Sequence, residues 1–292
     1  MKIPQIFQLI FVLVAITIVY SSCEKSPTDS TEKIVEPEMI SIDRNLRFTY
    51  GPSWDTTFVP PDSLPMLVVE LTPYEIGKYE VTNEEYEAFV QDGGYKDATF
   101  WSEAGWVCKI REDWSLPVFW SNDKLWTDDP YSNKKNTPVH GISYYEAEAY
   151  CKWLSHKTNH NYHIPSSYQW VRAAKGPDPG TKYPWGNEYN RNVANYIPHE
   201  PDTVPLLEVF KFEAGKSFEG CYNMIGNVFE ICLVHNYTNP QITFAGFYST
   251  GILSAVSSGG DPYYSAMTTI SGLSIQKEWR FYAIGLRLIK EK

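Results

Sequence analysis

The 292-residue sequence is 43% hydrophobic and 21% charged, which sets it with globular chains and apart from disordered or fibrous ones. Its formal net charge of -10 and the lack of a basic stripe exclude a phosphate-backbone-binding surface, because nucleic-acid affinity rests on Lys and Arg displacing counterions. With 10 Trp, 21 Tyr and 20 Pro, the chain is rich in aromatics and turn formers, which points to a loop-heavy, rigidly packed fold and away from a helical bundle.

At the amino terminus Lys2 precedes an apolar run from Ile3 to Tyr20, followed by Ser21-Ser22-Cys23. Small residues ahead of a cysteine resemble a bacterial lipoprotein signal, which implies a signal peptide over 1–22 and lipidation of Cys23. Tyr20 departs from that pattern, in which a Leu-like residue is usual. The competing reading is an uncleaved membrane anchor, since the 18 mostly apolar residues nearly span a bilayer. Both readings export the protein: the expectation is a cell-envelope location, lipid-anchored to a bacterial membrane, the outer membrane favoured, facing periplasm or surface. Ser, Thr, Pro and charge from Glu24 to Glu38 predict a flexible tether over 23–38, with the folded domain over 39–292.

Within that domain a strand is predicted over 75–79, bounded by turn residues. Three helix starts follow, each with a capping box in which two side chains satisfy orphan backbone donors: Thr82 with Glu85, Ser143 with Glu146, and Ser166 with Gln169. Between the first two, residues 100–136 carry Trp101, Trp106, Trp114, Trp120 and Trp126 among prolines and charges. This segment reads as a rigid lid over the main helix, with a groove lined by the rings as the alternative. After Ser143, Ala147, Tyr150, Cys151 and Leu154 repeat at helical spacing and leave Glu148, Lys152 and Lys157 to solvent. His156, His160 and His163 lie close in sequence, but His156 suits the dipole at the helix end, and no metal is assigned to the three.

The third helix turns Trp170, Ala173 and Ala174 inward before Gly176 and Pro177 stop it. Further strands are read over 246–250 and 283–289. Cys151 reads as a buried small hydrophobe. Disulfides are permitted in an exported chain, and the pairing of Cys108, Cys151, Cys221 and Cys232 stays open, Cys221 with Cys232 being one option. Cys232 and His235 offer two metal ligands without a visible third.

Cys221-Tyr222-Asn223-Met224-Ile225-Gly226-Asn227-Val228-Phe229-Glu230 is the most informative stretch, spaced as a compact cation-binding turn. Calcium needs six to eight oxygen ligands drawn from carboxylates, amides and backbone carbonyls. Asn223 and Glu230 are the side-chain donors, and Gly226 lets the chain turn so that the Gly226 and Val228 carbonyls point at the same ion. A tight turn with satisfied polar side chains is the alternative.

Several blocks in order, namely Tyr74-Glu75-Ile76-Gly77-Lys78-Tyr79-Glu80-Val81-Thr82-Asn83, Pro138-Val139-His140-Gly141-Ile142-Ser143, Tyr183-Pro184-Trp185-Gly186-Asn187, the cation turn and Gly285-Leu286-Arg287-Leu288, resemble the formylglycine-generating enzyme (sulfatase-modifying factor) family. The resemblance covers roughly residues 40–290. It implies an α+β, C-type-lectin-like formylglycine-generating-enzyme fold with few short helices and strands, long ordered loops, and calcium as a structural staple. Asn223, Gly226, Val228 and Glu230 match one family calcium site. A second would start at Asn195 and the Tyr196 carbonyl, with Asp202 as its acidic ligand.

The family's aerobic chemistry uses two cysteine thiolates that hold copper(I). The corresponding block here, Ser258 to Thr269, contains no cysteine, and the thiol positions fall at Tyr264 and Thr269. Ser258 and Phe229 also stand where the family often has Arg and Trp. No catalytic residue is therefore assigned, and copper is not expected. Related sulfoxide synthases use iron held by a separate histidine-rich helical domain, which is not read in this sequence. The leading expectation is a lipid-anchored binding or assembly protein of the secretion or motility type, with an unknown protein, peptide or glycan partner. Tyr263, Tyr264, Trp279 and Arg280 are its candidate contacts, with packing into the core as the alternative for Trp279 and Tyr263. An oxidoreductase with a divergent active site and a ligand-display variable protein are the other two classes.

Overall fold

The computed structural model describes residues 34–50, 67–178, 180–181, 183–188, 190–195, 205–235, 243–248 and 276–292. Cys23, Tyr196, Asp202, Tyr263 and Tyr264 lie outside these residues.

Nine strands and four α-helices are described: β1 (Met39–Ile42), β2 (Arg47–Tyr50), β3 (Leu67–Glu70), β4 (Tyr74–Gly77), α1 (Asn83–Gln91), α2 (Glu103–Arg111), α3 (Tyr144–Thr158), β5 (Tyr162–His163), α4 (Ser167–Lys175), β6 (Phe229–His235), β7 (Thr243–Tyr248), β8 (Ile284–Gly285) and β9 (Ile289–Glu291). The main sheet runs β1-β4-β9-β5, all antiparallel, so the first and last described strands share one sheet. Ile76 sits opposite both Ile40 and Ile289, and alternation then buries Ile42, Ile76 and Ile289 on one face. A second sheet runs β7-β6-β8, its β6–β8 pair parallel, and β2 with β3 forms a separate antiparallel pair.

All three capping boxes form. The backbone N–H groups of Thr82, Ser143 and Ser166 donate to Glu85 (2.7 Å), Glu146 (2.8 Å) and Gln169 (2.9 Å). In return Glu85, Glu146 and Gln169 donate their own N–H groups to the three cap hydroxyls. Helix α3 ends where Asn159 turns left-handed (φ 57°), and α4 ends at Gly176 (φ 73°), which avoids a Cβ penalty.

Helix α3 organises the larger core. Its Ala147, Tyr150, Cys151, Trp153 and Leu154 are buried against Tyr86 and Phe89 of α1, and Tyr86 stacks on Tyr150 at 5.1 Å. Trp101, Trp114 and Trp120 are buried in the same cluster, while Trp106 and Trp126 are half-buried against it. The Trp-dense segment is therefore the lid over α3, with its rings spent on packing. Helix α4 builds the second core, where Trp170, Val171, Ala173 and Ala174 meet Ile42, Phe48, Ile76, Met224 and Cys232.

The strand expectations need correcting, first at 75–79, where β4 spans Tyr74–Gly77 and the chain bends at Lys78 and Tyr79. The 246–250 expectation falls on β7, which starts earlier, at Thr243; residues 249–250 lie outside the described residues. The 283–289 strand is broken in two. Ile284 and Gly285 pair with β6, then the chain crosses to the other sheet at Arg287 and pairs with β4 from Ile289. The buried guanidinium of Arg287 occupies the crossover, where a continuous strand would have placed a small or apolar side chain.

Candidate functional site

The turn predicted to bind a cation is buried and left-handed at three residues, Asn223 (φ 50°), Gly226 (φ 82°) and Asn227 (φ 65°). Gly226 is required twice over, since a Cβ there would also stand 2.3 Å from the Asn195 carbonyl oxygen. Asn195 of the second expected site is thus brought against the first: Asn227 N–H donates to Asn195 O (2.9 Å), and Asn195 Nδ2 donates to Asn227 Oδ1 (3.2 Å).

Glu230 is fully buried and shared between two donors. Arg287 donates to both of its carboxylate oxygens at 2.8–3.1 Å, and the Trp170 indole donates to Oε2. Arg287 is itself completed by the carbonyls of Gly77 (2.8 Å) and Tyr222 (2.7 Å). A second buried carboxylate, Glu80, accepts from Asn223 Nδ2 and Asn227 Nδ2, each at 3.0 Å. Burial pushes Glu80 up to about 7, with Arg287 opposing the shift and Glu230 adding to it.

Sequence reasoning missed both Glu80 and Arg287 as site residues. The available signal was a charge set among apolar neighbours, beside Val81 for the first and between Leu286 and Leu288 for the second.

The donor set fits a hard cation on one specific observation: Asn223 Oδ1 is buried and has no hydrogen-bond partner. The charge balance agrees, because two buried carboxylates face one guanidinium, and the excess negative charge calls for a proton or a cation. Among the described residues no group of three or more His, Cys, Asp or Glu is placed to hold a metal. An ion at this turn would take amide and carbonyl oxygens beside the carboxylate of Glu230, ligand types that suit calcium.

The histidines go separate ways. His160 meets Glu36 (2.9 Å), His163 lies 3.7 Å from Glu291, and the His156 ring contacts Phe100. Cys108, Cys151, Cys221 and Cys232 are buried and form no disulfide, so Cys221 and Cys232 do not bridge. Burial raises the Cys151 thiol and holds that of Cys221 up at about 11, the reverse of an activated thiolate.

Of the candidate contact residues, Arg280 is turned inward. Its NH2 group donates to Leu116 O and to Glu146 Oε1 (3.0 Å), and Nε lies 2.9 Å from Glu146 Oε2, off the line of a hydrogen bond. The guanidinium also covers the Trp114 ring at 4.9 Å. Arg280 is therefore an internal anchor. Its neighbours face out: Trp279 is 39% and Phe281 52% exposed, with the two rings edge to face at 5.3 Å.

Residues 25–292 match the family model described as the sulfatase-modifying factor enzyme 1-like domain. The chain belongs to this family. Within it, the chain is 31% identical over 183 residues to the hercynine oxygenase of Mycolicibacterium thermoresistibile, covering 60% of this chain and 39% of that protein. Identity to the hercynine oxygenase of Mycobacterium tuberculosis is 33% over 191 residues, covering 63% and 41%. The chain thus spans about two fifths of the length of these relatives. The structure of PvdO from Pseudomonas aeruginosa shares the fold at a TM-score of 0.59 and 20% identity, covering 88% of this chain and 95% of that one.

Proposed function

We propose that this family member is an envelope lipoprotein, anchored through Cys23, whose domain binds a partner through an aromatic surface and uses calcium at the Asn223–Glu230 turn as a staple. The observation that carries the binding role is the mounting of Trp279 and Phe281. Both rings are exposed, while Arg280 between them is fixed by Glu146 and Leu116. A rigid pair of exposed aromatics forfeits little side-chain entropy on contact and buries a large area, which is what binding anchors need.

Two features favour this reading over thiolate oxidation: the thiol positions carry Tyr264 and Thr269, and the described cysteines are buried with raised pKa at Cys151 and Cys221. Calcium at the turn would be held by Asn223, Gly226, Val228 and Glu230, with Asn195 packed against them. Its contribution there is charge neutralisation and cross-linking of two loops.

The test places a photo-crosslinking residue at position 279 in living cells, with exposed Val107 as the control position. A discrete adduct from 279 that disappears with F281A is the expected result. The same adducts from both positions, or none from 279, would overturn the binding surface. Loss of membrane association in C23A checks the anchor.

A second reading, an oxidoreductase with a divergent site, is favoured by the kinship with hercynine oxygenases. Stoichiometric iron or copper retained by the purified protein would select it.

A further inference from the structure

We propose that Glu80 is the positioning residue of the cation turn: by accepting the NH2 groups of both Asn223 and Asn227, it fixes which way each amide faces and leaves Asn223 Oδ1 for the ion. The inference rests on reading 221–230 as a cation turn. Both oxygens of the Glu80 carboxyl act as acceptors here, so the one side chain serves two amide donors at once. Oε2 takes Asn223 Nδ2 and Oε1 takes Asn227 Nδ2, each at 3.0 Å.

The remaining amide hydrogens are also spent. Asn223 Nδ2 donates to Val209 O (2.8 Å) and Asn227 Nδ2 to Leu207 O (3.1 Å). Flipping either amide would set its oxygen against a carboxylate and a carbonyl, acceptor facing acceptor, so each has one permitted orientation.

The two oxygens then have different fates. Asn227 Oδ1 accepts from Asn195 Nδ2 (3.2 Å) and Leu207 N–H (2.9 Å), which ties the turn to the second loop. Asn223 Oδ1 accepts from no group, although Asn223 is only 3% exposed. A buried neutral oxygen without a donor, on a side chain whose other end is held by a buried carboxylate, is what a hard cation completes.

Glu80 reaches this place from 143 residues upstream of Asn223, on the extended stretch between β4 and α1. The Val81 backbone holds that stretch on both sides, its N–H donating to Leu286 O (2.8 Å) and its carbonyl accepting from Val139 N–H (3.0 Å). The carboxylate is thus a fixed post and does not travel with the turn.

The experiment uses terbium(III) as a luminescent stand-in for calcium on the full-length protein in detergent. Trp170, which donates to Glu230, serves as the sensitiser. Wild type should show saturable emission at one ion per chain that calcium competes away. In E80Q, one acceptor oxygen becomes an NH2 group that must face an Asn NH2. Asn227 is also held through Oδ1 by Asn195 and Leu207, so Asn223 is the amide that flips, pointing Nδ2 at the ion, and affinity should fall by about tenfold or more. The double variant E80Q/N223D should recover binding to within about threefold of wild type. Its introduced amide donates to one oxygen of the introduced carboxylate and leaves the other for the ion, and the added negative charge toward the ion offsets the donor that Val209 O loses. Melting is followed in parallel.

Absence of emission from wild type would overturn the cation turn itself. Wild-type binding with E80Q unchanged would overturn the positioning role alone. If E80Q fails to fold, the double variant decides: refolding with terbium bound supports the role, and failure to bind overturns it.

Discussion

Arg287 stands between Leu286 and Leu288 and Lys175 closes α4 beside Ala174, and both charges are buried. Arg287 is matched by Glu230 at 2.8 Å and by two carbonyls, which offsets its desolvation. Lys175 is answered differently: burial holds it down at about 6, with Asp178 only partly opposing. A lysine whose folded pKa lies below its unfolded value leaves the unfolded chain holding the extra proton between about pH 6 and 10. Stability contributed through this group therefore rises with pH across that window, by at most about 1.4 kcal/mol per pH unit. K175M should flatten that rise. Urea unfolding of both proteins at several pH values between 6 and 9 measures it, and parallel slopes would refute the assignment. The apolar neighbours of Arg287 carried a local signal of burial that the sequence reading passed over, and Lys175 before Gly176 carried none. Their partners were not legible, because nothing local to Arg287 names Glu230, 57 residues away.

At the scale of elements, the capping boxes were read correctly because a box is complete within four residues and needs no tertiary partner. Glu146 shows where that reading stops. It caps α3, and it also accepts from Tyr95 and holds Arg280, from 51 and 134 residues away. Removing the cap hydroxyl in S143A should cost about 1 kcal/mol, the usual worth of an N-cap. E146A should cost about 3–5 kcal/mol, because it also leaves the Arg280 guanidinium buried without its counter-ion. Chemical denaturation of the two variants checks this. Equal losses would mean that Arg280 contributes nothing beyond the cap. The Trp-dense segment follows the same logic at larger size: its rings were visible in the sequence, but their burial over α3 follows from packing.

Over the whole molecule, β9 lies between β4 and β5, so the last residues of the chain complete a sheet that begins at Met39. Deleting Ile289 to Lys292 should abolish cooperative unfolding, because it removes the strand that joins β4 to β5 and takes Ile289 from the second core. Circular dichroism melting distinguishes that outcome from simple fraying, which would leave a sharp transition at slightly lower temperature. The sequence by itself determined the family, the α+β class, the three helix starts, the apolar face of α3 and the turn with Gly226 at its bend. These are signals carried by short ordered motifs, where residue type and spacing already limit the backbone. Only the tertiary structure decided that the 283–289 strand changes sheets, that Arg280 turns inward while Trp279 faces out, and that Glu80 meets Asn223. Each of those outcomes depends on which distant segments the fold sets side by side, and a contact across 143 residues leaves no periodicity for local reading to find.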